Sequence, residues 1–273
     1  MVDALKLLRR ARKERSNTTE SAEQQSAAPT ATEEPSRAPA AELPAEERSS
    51  APDASAPSTS SALGAPPPEQ LSTRRWRSLR IAEDPSGSLS GGNGATVWDS
   101  ALVLARLAAD GDLGDWDGAR VLELGAGCGL VACALATLGA RVTATERRIA
   151  LPLLQRNVEA NAAAFSSGSV DVAELDWAAP GALGTFDRVV GTDLVFASNA
   201  DVHDALANLL ATLVRGAVAY VVSEVREGGG AEGALVDALR RRGLAVTRRR
   251  FDAVPDELRV YEIAATSFFD GAT

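Results

Sequence analysis

The sequence predicts an α/β fold: a mostly parallel sheet wound with helices on both faces, preceded by a tail that cannot build a core. Three features predict it. Nine of the thirteen prolines fall between residues 16 and 70, and none of the twelve aromatic residues precedes Trp76. From residue 119 onward short β-branched runs alternate with helical stretches of about 10–15 residues, the order that sets crossover helices between parallel strands. A glycine-rich turn joins the first of those runs to the first of those helices.

The tail follows from composition. Residues 16–70 are rich in Ala, Ser, Pro and Glu without helical or strand periodicity, so they bury too little apolar surface to offset the entropy of ordering. Residues 1–73 are expected to be a disordered tail and 74–273 a domain long enough for a full interior. Charge divides the chain in the same way. Residues 1–15 hold six Lys/Arg against Asp3 and Glu14, residues 16–70 hold Arg37 and Arg48 against nine acids, and the whole chain carries −9.

The remaining domain is therefore acidic, which argues against nucleic acid, where Lys and Arg must neutralise phosphates, and suits a protein partner with a basic segment. Arg240–Arg242 and Arg248–Arg250 fall at a helix end and on a late, edge-like strand, and read as solvated faces. No run approaches the roughly 18 apolar residues of a membrane span. The basic opening segment has the look of an organelle-targeting or membrane-surface helix, but Asp3, Glu14 and the acidic stretch that follows argue against both. Cys128 and Cys133 give neither a disulfide framework nor zinc-ligand spacing, so a reducing, cytoplasmic setting is expected.

The elements follow in order. Residues 78–84 alternate as a strand, and 95–109 have helical spacing, with Thr96 as the expected N-cap and Val97, Ala101, Leu104 and Ala108 on one face. Strand 119–124 runs into Gly125-Ala126-Gly127-Cys128-Gly129 and then a helix over 131–138 that stops at Gly139. Strand 141–146 precedes a helix over 151–164, whose Pro152 is tolerated only in the first turn. Strands over 169–175 and 186–196, a helix over 202–213, a strand over 217–223, a helix over 232–242 and strands over 244–251 and 258–266 complete the domain. His203, the single histidine, is expected on an exposed helix start, and both cysteines read as small buried residues.

The glycine turn is where chemistry enters. Glycines between a strand and a helix let the backbone approach a ligand without a Cβ clash, and the helix N-terminus offers free N–H groups. Glu146 ends the next strand, 19 residues after Gly127, where a carboxylate can accept hydrogen bonds from two ribose hydroxyls. NAD, FAD and S-adenosylmethionine all suit such a site. Dinucleotides favour G-x-G-x-x-G/A, which seats a pyrophosphate; the spacing here is G-x-G-x-G, with Leu130 at the last dinucleotide position, and S-adenosylmethionine has no phosphate to seat.

Further motifs stand in a recognisable order: Gly94-Ala95-Thr96-Val97-Trp98-Asp99, the glycine turn, Thr145-Glu146, Leu175-Asp176-Trp177, Gly191-Thr192-Asp193-Leu194-Val195-Phe196, and Ser223-Glu224-Val225-Arg226. From about residue 80 to 265 the chain resembles the seven-stranded, Rossmann-like class I S-adenosylmethionine-dependent methyltransferases, and within them the lysine-methyltransferase-like family of protein methyltransferases. The resemblance implies a strand order of 3-2-1-4-5-7-6 with a final antiparallel strand. It implies that Trp98 packs on the cofactor, that Gly125, Ala126 and Gly127 line it through their backbone, and that Glu146 holds the ribose. It further implies that Asp176 and Trp177 flank the adenine, and that Thr192 closes the site.

Asp193 and Phe196 correspond to the ends of the family's Asp-x-x-Tyr motif, which implies catalytic roles at the carboxyl edge of the sheet; Phe196 keeps the aromatic wall and lacks the tyrosine hydroxyl. A lysine amine with a pKa near 10.4 arrives protonated, so a carboxylate that orients it positions first and assists proton removal second. Glu224 and Arg226 fall where the family places an acidic-x-Arg pair near substrate. The implied reaction moves methyl to a side-chain nitrogen, lysine of a non-histone protein first. Protein histidine, a small molecule, or an inert cofactor-binding interaction module are the alternatives.

Overall fold

Alternating hydrophobicity in the strands and helical spacing between them produce the observed element order. The computed structural model describes residues 71–86, 93–195, 200–225 and 230–266. A hairpin of β1 (Ser72–Trp76) and β2 (Leu79–Glu83) precedes helix α1 (Asp99–Ala109). There follow β3 (Arg120–Leu124), α2 (Leu130–Thr137), β4 (Arg141–Glu146), α3 (Leu151–Asn161), β5 (Ser169–Glu174) and β6 (Arg188–Thr192). Then come α4 (Ala200–Leu213), β7 (Val218–Glu224), α5 (Gly230–Arg241), β8 (Leu244–Arg249) and β9 (Leu258–Ala265). Residues 1–70 of the expected tail, Phe196 and Arg226 lie outside the described residues.

Seven strands form one sheet in the order β5-β4-β3-β6-β7-β9-β8. Counting from β3 as the first strand, this is the implied 3-2-1-4-5-7-6, and β9 runs antiparallel to both its neighbours. The pleat sends alternate residues to opposite faces. Val121, Val190 and Val222 join the core built by α1, α2 and α3. Leu122, Val189 and Val221 join the core built by α4 and α5. Helix α2 is buried from Leu130 to Ala136, so its sequence is apolar all round rather than striped.

Three expectations are corrected. Thr96 does not cap α1: the Val97 N–H donates to Glu83 Oε1 at 2.8 Å, which holds the chain extended until Trp98 takes the N-cap position. The strand expected to reach residue 196 ends at Thr192, because Asp193 turns into the left-handed region with φ of 45°. His203 is buried, 4 % exposed. By its spacing of three, four and seven residues, His203 shares the buried face of Leu206, Ala207 and Leu210. Of the arginine clusters, Arg240 and Arg241 are exposed, while Arg242 ties α5 to α4 through Asp204 Oδ1 (2.9 Å) and Asn208 Oδ1 (2.7 Å).

The hairpin is held by side chains that imitate a neighbouring strand. Asn157 Oδ1 accepts from the Ala82 N–H at 2.8 Å, and its Nδ2 donates to the carbonyls of Ala82 and Cys128, both at 2.9 Å. One turn later Asn161 Oδ1 accepts from the Arg80 N–H at 2.9 Å and its Nδ2 donates back to the Arg80 carbonyl at 3.0 Å. The edge of β2 is thus satisfied by a helix, and the same Asn157 reaches the glycine turn. Removing it orphans buried backbone groups at about 1–3 kcal/mol each. Asn157→Ala is expected to lower the midpoint of thermal unfolding, followed by circular dichroism, by about 5–10 °C, at about 2–4 °C per kcal/mol for a domain of this size.

Candidate active site

The carboxyl ends of β3, β4, β5 and β6 lie side by side, and the chain leaves each through a residue chosen for backbone conformation or side-chain chemistry. After β3, Gly125, Gly127 and Gly129 have φ of 60°, 54° and 80°, all in the left-handed region. The turn is pinned: the Ala126 N–H donates to the Thr145 carbonyl at 2.9 Å, and Thr145 Oγ1 donates to the Glu123 carbonyl at 2.6 Å. A Cβ on Gly127 would meet the Gly94 carbonyl oxygen at 2.8 Å, so the segment before Trp98 crosses directly over the turn. Cys128 Sγ faces that same carbonyl at 3.6 Å, and burial pushes the thiols of both Cys128 and Cys133 well up, Cys133 to about 12.

Glu146 stands at the end of β4 beside this turn. One carboxylate oxygen accepts from the Arg147 N–H at 2.6 Å, the Gly127 N–H is a further donor, and Oε1 lies 3.4 Å from where a Cβ on Gly94 would sit. Burial raises its pKa, and the N–H groups of Arg147 and Gly127 together with the Arg147 charge limit the rise. Trp177, beyond β5, packs against the other side of the turn, its Cζ2 3.6 Å from the Cβ position of Gly125. Asp176 is exposed and accepts from the Ala178 N–H at 2.9 Å, a local turn that occupies one of its oxygens. A cleft of about 900 Å³ shares Trp177 with this crevice but runs on between residues 178–186 and α4, lined by Leu183, Phe186 and Leu209.

The chain just past β6, the parallel strand on the other side of β3, supplies the other carboxylate. Thr192 closes β6 and is half-buried; Asp193 follows it with its own N–H on the Val222 carbonyl at 2.9 Å. Asp193 Oδ1 accepts from the Glu224 N–H at 2.8 Å, and Oδ2 accepts from Ser100 Oγ at 2.6 Å. Glu224 therefore reaches Asp193 through its backbone, while its side chain is exposed. Trp98 is half-buried at the N-cap of α1, two residues before Ser100. The structure thus places Trp98, Gly125, Ala126, Gly127, Glu146, Trp177, Thr192 and Asp193 on one rim, where ligands of open parallel sheets collect.

The comparisons with known proteins agree with this architecture. A profile described as lysine methyltransferase matches residues 75–234. The chain belongs to that lysine methyltransferase family. It is 38 % identical over 144 residues to the protein N-lysine methyltransferase METTL21A of Mus musculus, covering 50 % of this chain and 56 % of that protein. It is 36 % identical over 137 residues to the EEF1A lysine methyltransferase 3 of Xenopus tropicalis, covering 50 % and 57 %. The matched stretch spans little more than half the length of these curated relatives. Among solved structures, the T. thermophilus 16S rRNA N2 G1207 methyltransferase RsmC, in complex with AdoMet and guanosine, aligns with a TM-score of 0.51 at 25 % identity, covering 71 % of this chain and 50 % of that one. The fold is that of the class I methyltransferases.

Several residues that shape this rim were not legible in the sequence. Ser100, Glu83, Asn157 and Glu123 act through partners far away in the chain or through burial. Glu83 accepts from Arg74 Nε at 3.1 Å as well as from Val97, and so fixes the approach to Trp98. Glu123, 1 % exposed on β3, leaves Oε2 without a partner among the described residues. Burial lifts its carboxyl from the usual 4.5 to about 8; the Ala132 N–H opposes the shift and the Glu146 charge adds to it. The folded protein thus keeps a proton that the unfolded chain releases above about 4.5, so stability is greatest below that pH and is lost as pH rises toward 8. In denaturant unfolding between pH 5 and 8, the unsubstituted chain is expected to lose on the order of 2 kcal/mol or more relative to Glu123→Gln as pH rises, and an unchanged difference between the two would contradict this.

Proposed function

We propose that this chain transfers methyl from S-adenosylmethionine to the side-chain amine of a protein lysine. The observation that carries the reading is the pairing of two differently held carboxylates on one rim, Glu146 beside the bare backbone of Gly127 and Asp193 beyond β6. The residues fit the cofactor. Glu146 holds its carboxylate toward N–H groups of its own chain, bonds a ribose hydroxyl can replace, and the left-handed glycines of the turn leave backbone without side chains beside it. Trp177 gives a flat wall for adenine beside Gly125. Bound there, the cofactor supplies an electrophilic methyl group on a sulfonium.

The rest is done by this chain's side chains and backbone. Glu146 and the 125–127 backbone hold the nucleoside and amino-acid parts, and Trp98 covers them from the α1 side. Asp193 presents a carboxylate whose two oxygens each retain a lone-pair site after accepting from Ser100 and Glu224. It accepts a hydrogen bond from the incoming amine and aims its lone pair, because displacement at carbon needs near-contact alignment. An anion also favours the protonated amine, so Asp193 orients the amine while desolvation and the neighbouring positive charge favour release of the proton. The net acidic charge of the domain complements a substrate whose lysine lies among basic residues.

The test uses lysate protein incubated with the enzyme and tritiated methyl S-adenosylmethionine, followed by peptide mass spectrometry. A methylated lysine that depends on the enzyme is expected, with Asp193→Ala lowering the rate about 100-fold. Glu146→Ala is expected to weaken S-adenosylhomocysteine binding, measured by calorimetry, about 10- to 100-fold, the cost of losing a charge-assisted bond. Label confined to small molecules, or full activity of Asp193→Ala, would overturn the reading.

A further inference from the structure

We infer that Ser100 is a positioning residue that fixes Asp193 for methyl transfer and ties the acceptor carboxylate to the helix carrying Trp98. The inference rests on the reading of Asp193 given above. Ser100 is fully buried, yet nothing about packing calls for a hydroxyl there: alanine fills nearly the same space and is the better helix former. A buried hydroxyl without a partner is costly, so its place is explained by the partner it has. That partner is Asp193 Oδ2 at 2.6 Å, 93 residues away.

The geometry gives the bond more than one function. Helix α1 begins without a side-chain cap, since Trp98 at the N-cap makes no such bond, and an anion near its first turn lies at the favourable end of the helix dipole. Asp99 supplies one such anion within the helix, and Asp193, just beyond β6, brings a second from outside it. Its backbone is already committed, with φ of 45° and its N–H on Val222, so the side chain can turn only about its own bonds. The Glu224 N–H fixes Oδ1 and the Ser100 hydroxyl fixes Oδ2, which removes that last freedom. The carboxylate plane is then set jointly by β7 and α1.

Because Ser100 follows Trp98 by two residues on the same helix end, the wall against the cofactor and the acceptor for the amine are linked by one hydrogen bond. A shift of α1 away from the crevice must break it. A serine at this position therefore sharpens the relative placement of the two reactants, which governs turnover more than affinity for the cofactor.

Ser100→Ala tests this with two readouts. The first needs no substrate: amide exchange of Glu224, followed by NMR, is expected to quicken about tenfold or more, because its acceptor is no longer held. The second is methyl transfer to lysate protein, where turnover at saturating S-adenosylmethionine should fall about tenfold while S-adenosylhomocysteine affinity stays within about twofold. In an Asp193→Asn background the same substitution should change turnover less than about twofold, since the group it acts through is already altered. Unchanged Glu224 exchange would overturn the inference, as would a loss of turnover that persists undiminished in that background or a parallel loss of cofactor-product affinity. If the unsubstituted enzyme labels no protein, the lysine reading fails on its own and the exchange measurement still decides whether Ser100 holds Asp193.

Discussion

The backbone between β3 and α2 is the constraint from which the site is built. Three left-handed glycines bring the chain round in five residues, and the bond from Ala126 to Thr145 sets that turn against the neighbouring strand. With the turn in place, Glu146 comes to rest beside the Gly127 N–H, and Gly94 crosses above it with no room for a side chain below. A side chain at Gly127 would have both a disfavoured backbone angle and a carbonyl in its path, so turn and crossing segment are specified together.

That crossing segment is held from below by polar groups in unusual places. Glu83 accepts from Val97, and the Asp84 N–H donates to the Ala95 carbonyl at 2.8 Å. Asn157 and Asn161 complete the hairpin edge that carries both acids. Each of these groups is buried, and each is satisfied by a partner from a different element, so the hairpin, α3 and the glycine turn share one hydrogen-bond network. The wall that bears Trp98 is consequently anchored to the same strand and helix that support the turn. On the far side Asp193 joins β6, β7 and α1 through its own N–H and both carboxylate oxygens.

How much of this was readable from the chain follows from the range of the interactions. Strands and helices were, because apolar period is a local property: the β3, β4 and α2 segments, and the stop at Gly139 with its φ of 90°, were legible within a few residues. The glycine turn and Glu146 were legible as well, since a strand, a turn and a spaced carboxylate form a linear pattern. The expected Thr96 cap failed where a distant carboxylate, Glu83, competed for the backbone. His203 is buried because it stands three, four and seven residues before Leu206, Ala207 and Leu210, on the face of α4 that packs into the core. Ser100 and Asn157 gave no signal at all: their partners lie 93 and 75 residues away, and only the folded sheet brings them within reach.

The most direct measurement of the central claim is a crystal structure of the protein with S-adenosylhomocysteine. The account predicts the ribose hydroxyls on the Glu146 carboxylate in place of the Gly127 N–H, the amino-acid end along the 125–127 backbone, and the adenine against Trp177. A ligand found instead in the cleft between residues 178–186 and α4, with Glu146 still bonded to its own backbone, would contradict it.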